Sequence, residues 1–92
     1  MAMAEYIITR VESKRSKVNP WHERVTGKRC TIGLLEFWCC AIFYVRGIDS
    51  YDGATVRYVT SRVLRTNEQD GVLTVETENT TYTLERVGGA DG

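Results

Sequence analysis

Apolar and polar residues alternate most regularly in the last third of the chain, from Thr55 to Val87, and the alternation predicts a three-stranded antiparallel meander. Leu73 and Val75 fall on one side, Thr74 and Glu76 on the other, as a half-buried strand requires. The polar stretch before it ends in Asp70-Gly71, a pair that tolerates positive φ and commonly closes hairpins. After it, Glu78-Asn79-Thr80 is expected to turn the chain, with Asn79 as the left-handed residue. Tyr82 and Leu84 then alternate with Thr81, Thr83 and Glu85 in a returning strand. Upstream, Val56 to Thr60 is β-branched or aromatic, as strands prefer. Its apolar phase slips from Val56/Tyr58 to Val59/Val63, which predicts a bulge or strong bend of the kind small barrels use to curl closed.

The front half is less regular. Tyr6 to Glu12 reads as a first strand, and Ser13 to Pro20 as a polar, basic loop ending in Asn19-Pro20. Trp21-His22-Glu23-Arg24 suggests one turn of helix packing its indole under the sheet. Cys30, Ile32 and Leu34 share one side of a second strand. Leu34 to Val45 is apolar nearly all the way round, so periodicity alone does not choose between strand and helix. Its aromatic and β-branched content favours a strand bracketed by Gly33 and Gly47. Trp38, Cys40, Ile42 and Tyr44 would share one covered side, and Phe37, Cys39, Ala41 and Phe43 the other. A loop follows from Arg46 to Ala54, with Tyr51 at its tip.

Five or six short strands in 92 residues predict one all-β domain over 5–87. It would be a small SH3-like or OB-like barrel or a strongly bent antiparallel sheet, the alternative being α+β with a helix at 34–45. Residues 1–4 and 88–92 are expected to be disordered ends. Thr60-Ser61-Arg62-Val63, followed by Val75 through Glu85, resembles the C-terminal end of small uncharacterised β-barrel proteins of gut-dwelling Gram-positive bacteria and their mobile elements. The resemblance covers about a quarter of the chain. It implies a barrel and carries no catalytic motif.

Charge and candidate chemistry narrow the picture only slightly. Basic and acidic residues cancel at twelve each, yet 10–29 holds seven basic groups against Glu12 and Glu23, whereas 47–92 holds four against eight acidic. Three cysteines and no secretory leader predict reduced, buried thiols and a cytoplasmic protein. Cys30, Cys39, Cys40 and His22 lack the paired spacing of a zinc site, so no metal or cofactor is expected. A lone histidine offers Cys30 no triad, and no phosphate-binding glycine loop is present, so the chain reads as a non-enzyme.

Two binding classes remain. The first is a protein-interaction module, or a weak homo-oligomer, using a surplus aromatic face around Trp38 and Tyr44. The second binds single-stranded nucleic acid or RNA, with Arg10, Lys14, Arg15, Lys17, Arg24, Lys28 and Arg29 on phosphates and Trp21, Tyr51 or Tyr58 stacking on bases.

Overall fold

Among the described residues side-chain alternation produces six strands, and one short helix joins the first two. The computed structural model describes residues 4–15, 19–47 and 55–87. In chain order they form β1 (Glu5–Ser13), α1 (Pro20–Val25), β2 (Arg29–Leu35), β3 (Cys40–Arg46), β4 (Thr55–Gln69), β5 (Val72–Thr77) and β6 (Thr80–Arg86). Each strand pairs antiparallel with the next, and β6 returns to β1 from Tyr6↔Arg86 to Ser13↔Thr80, closing a barrel. The order is sequential all round, without the Greek-key connection of an OB fold.

Inward positions follow the period of two. Leu73 and Val75 of β5 face Leu84 and Tyr82 of β6, and all four are buried. Ala41, Phe43 and Val45 of β3 join Ile8, Cys30 and Val63 to complete the core. Four of the six ladders contain a register shift, and each shift adds the local bend that lets so few strands close. Asp70 and Gly71 both take positive φ, 54° and 79°, as a two-residue type I′ hairpin requires.

Several expectations need correction. The helix at 34–45 does not form, and neither does one continuous strand. β2 runs on to Leu35, the chain turns through Glu36–Cys39, and β3 begins at Cys40. Gly33 does not break the chain. It sits at the bulge between Ile32 and Leu34, which shifts the core-facing position from Leu34 to Leu35. Within β3 the predicted alternation holds, but only one side is covered, because Tyr44 stands on the outside.

In β4 the phase changes between buried Thr60 and buried Val63, leaving Val59 half exposed rather than inward. Asn79 is not left-handed. The β5–β6 turn is closed instead by Thr77, whose hydroxyl donates to the Thr80 carbonyl at 2.8 Å and accepts the Thr80 N–H at 3.1 Å.

The predicted turn of helix is real. Asn19 caps it by accepting the Trp21 N–H at 3.0 Å, and Pro20 occupies the first turn, where a missing N–H costs nothing. Its anchor is Val25, fully buried, and not Trp21. The indole lies at the surface because the helix has only six residues and turns its other end inward.

Candidate functional site

The basic stretch 10–29 does not form a continuous positive surface among the described residues. Arg10 lies 3.1 Å from Glu12, Lys14 2.7 Å from Glu76, and Arg29 3.6 Å from Glu5, which also pairs with Arg46. Lys14 additionally donates to the Thr77 carbonyl at 2.7 Å. The hydrogen bond from Lys14, and then its charge, hold the Glu76 carboxyl below the usual carboxylate range. Its contribution is therefore present above that range and lost as pH falls through the lowered value. Arg15, Arg24 and Lys28 have no carboxylate within ion-pair distance among the described residues. Lys17 and Tyr51 lie outside the described residues.

Trp21 and Tyr58, both candidate stacking residues, do come together. Their ring centroids are 6.4 Å apart, and the Arg24 guanidinium lies 5.3 Å from the Trp21 ring centre. They bound a cleft of about 330 Å³ whose lining includes Asn19, Val56, Arg57 and Val59. Tyr58 continues inward to Tyr82, hydroxyl to hydroxyl at 3.0 Å, and stacks on Phe43. Burial pushes both phenols above their ordinary value, so they stay neutral.

On the other flank of α1 a second cleft of about 310 Å³ is lined by Arg15, His22, Asn79 and Thr80, among others. Burial lowers the His22 pKa from its ordinary 6.5, so the ring is neutral at pH 7 and Arg15 supplies that lining's charge.

A third surface is apolar. Leu34, Ile42 and Val59 form a row across the outside of β2, β3 and β4, with Tyr44 one row away over Gly33. A Cβ at Gly33 would stand 2.3 Å from the Tyr44 ring, so glycine is what lets the ring lie flat there. At the end of this face Phe37 and Trp38 are 63% and 56% exposed, edge to face at 5.2 Å. Their turn is pinned to β4: Trp38 N–H donates to Val63 O at 2.9 Å, and Val63 N–H donates to Cys39 O at 2.8 Å. Arg62 lies over the Trp38 ring at 5.4 Å.

Trp38 itself has φ 68°, in the third position of a turn closed by Cys39 N–H to Glu36 O. That position favours glycine, and a bulky residue there is strained. Trp38 and Tyr44 were legible in the sequence as a surplus aromatic pair. Phe37 and Val59 were not, because each reads as one more core residue in an apolar run.

Among the described residues no group of three His, Cys, Asp or Glu side chains lies close enough to hold a metal. All three cysteines are free, and Cys39 is exposed rather than buried as expected. Burial, with the Glu5 charge behind it, pushes the Cys30 thiol up to about 12 from an ordinary 9.0. A thiol held protonated is a poor nucleophile. The folded state holds this proton more tightly, so stability should be full below pH 9 and decline between pH 9 and 12. Urea midpoints measured across that range in wild type and Cys30→Ala check it. The alkaline loss should be smaller in the variant, and an equal loss in both would remove Cys30 as its source.

No helix among the described residues is long and apolar enough to cross a membrane. Comparison with family models, with curated proteins and with solved structures gives no match.

Proposed function

We propose that this barrel is a non-enzymatic protein-interaction module whose partner surface is the outer face of β2, β3 and β4, centred on Trp38. One observation carries the reading: a large aromatic residue is kept exposed in a backbone conformation that disfavours it. Strain retained where it gives the fold nothing belongs with function. Aromatic side chains ringed by arginine are also the usual anchors of protein interfaces. Arg57 pairs with Tyr44 across the ladder, and Arg62 covers Trp38. The reading takes the domain as an SH3-like barrel acting in the cytoplasm, with the sequential strand order and three free thiols as its support.

The test compares wild type with Trp38→Gly as baits at matched concentration. A partner retained by wild type and lost with the variant is expected, and equal retention by both refutes the surface. Sedimentation at two concentrations separates a second copy of this chain from a different partner.

Single-strand nucleic-acid binding is the second reading, supported by Trp21 lying beneath Arg24 and by Arg15 and Lys28, which have no carboxylate within ion-pair distance among the described residues. A mixed oligonucleotide should then shift amides in 10–29 at low salt and release them at high salt. Absence of shifts at low salt eliminates it.

A further inference from the structure

β4 is fifteen residues long and is shared between two neighbours. Thr55 to Arg62 pair with β3, whereas β5 meets β4 only from Val63↔Thr77 onward. In an antiparallel ladder successive residues direct their N–H and C=O groups to opposite sides. Alternate residues of Val56–Val59 therefore point their backbone groups away from β3, where no strand lies among the described residues. Among the described residues no backbone hydrogen bond outside the β3 ladder reaches these four.

α1 lies beside this edge, its Trp21 ring 6.4 Å from that of Tyr58. The cleft of about 330 Å³ follows the unpaired edge, with Val56, Arg57, Tyr58 and Val59 along one wall and Asn19 and Trp21 along the other. Natural edges are usually blunted by lysine, proline or a covering segment. Of these four residues only Arg57 is charged.

We propose that this edge is a strand-addition site. An extended segment of a partner protein pairs with Val56–Val59 and seats an apolar side chain between Trp21 and Tyr58. Its alternate residues are apolar, and those between them are acidic. Three observations fix that chemistry. The unpaired N–H and C=O groups call for a peptide backbone at strand spacing, which nucleic acid does not offer. The walls supply an indole, a phenol ring and two valines for an apolar side chain. Among the described residues no carboxylate lines the cleft, while Arg57 does and Arg24 lies over Trp21, so acidic neighbours are favoured. The proposal rests on the protein-interaction reading and adds a second surface that meets the first at Val59.

The experiment selects short peptides from a displayed random library on the full 92-residue chain, then titrates a synthetic copy of the strongest into labelled protein. Selected sequences should alternate apolar and acidic residues, and the amides of 56–59 should shift and become protected from exchange. Methylating peptide nitrogens on the pairing side should weaken binding by about tenfold or more, while methylating those facing away should change it little. Trp21→Ala should weaken binding by a similar factor. Because that variant could disturb α1, the methylated peptides keep the test independent of it.

Shifts confined to Phe37–Cys39 and Tyr44, indifferent to methylation, would overturn the edge site and leave the interaction module standing. No selected peptide would overturn the edge site as well. If an oligonucleotide then shifted 10–29 instead, the interaction reading would fail with it.

Discussion

Phe43→Ala should cost about 3–5 kcal/mol, the range for deleting a buried ring and leaving its cavity. The ring has no exposed surface, stacks on Tyr58 at 6.4 Å and meets Tyr82 edge to face at 5.6 Å. Each such aromatic pair is worth about 0.5–1.5 kcal/mol beyond the area it buries. A domain of this length has roughly 5–10 kcal/mol in total, so the variant should lose a large part of its stability. Urea unfolding followed by circular dichroism measures the loss. Phe43→Leu, which keeps most of the volume, should lose about 1.5 kcal/mol or less. If alanine cost no more than leucine, the aromatic cluster would not be the centre of this core.

Thr77→Val should cost about 1–3 kcal/mol although it adds no strain and opens no cavity. Thr77 is fully buried, and its hydroxyl both accepts the Thr80 N–H and donates to the Thr80 carbonyl. Valine has the same shape without the oxygen, so it would leave the nearly buried Thr80 N–H unpaired inside the barrel rim. Thr77→Ser keeps the oxygen and gives up one methyl, about 0.8 kcal/mol. Serine should therefore be the more stable of the two variants. The opposite order in urea midpoints would show that the methyl, and not the hydroxyl, closes the turn.

Both predictions concern features that differ in how far the residues reveal them. Phe43 sits in a strand whose alternation with Ala41 and Val45 is visible in the sequence, and the core followed from it. Thr77 also falls on the inward phase, but a threonine on that phase does not announce that its side chain will do the turn's hydrogen bonding. The turn was expected from Asn79 because asparagine tolerates positive φ, and side-chain closure removed the need.

The run from Leu34 to Val45 misled for a different reason. Phe37 and Trp38 are strand-forming residues placed in a turn, and their exposure destroys the periodicity that would have marked the boundary. Trp21 misled in the same way, since an indole beside a six-residue helix reads as its anchor until Val25 is seen to take that place.

The basic stretch was legible as a count, but the pairing of Lys14 and Arg29 with distant carboxylates was not. Glu5 and Glu76 lie far from their cationic partners in sequence and are brought beside them only by the β1–β2 and β5–β6–β1 pairings. The unpaired edge at Val56–Val59 was invisible for a related reason. It arises because β5 is too short to cover the whole of β4, a property of two strand lengths together.

Trp38→Gly gives the most direct measurement of whether the aromatic face is surplus to the fold. Glycine relieves a left-handed tryptophan, whose φ of 68° costs about 1 kcal/mol, and gives up only an exposed ring contact with Phe37 and Arg62. The urea midpoint should stay within about 1 kcal/mol of wild type or rise. A fall of more than about 2 kcal/mol would mean that Trp38 holds the barrel together and is not kept for a partner.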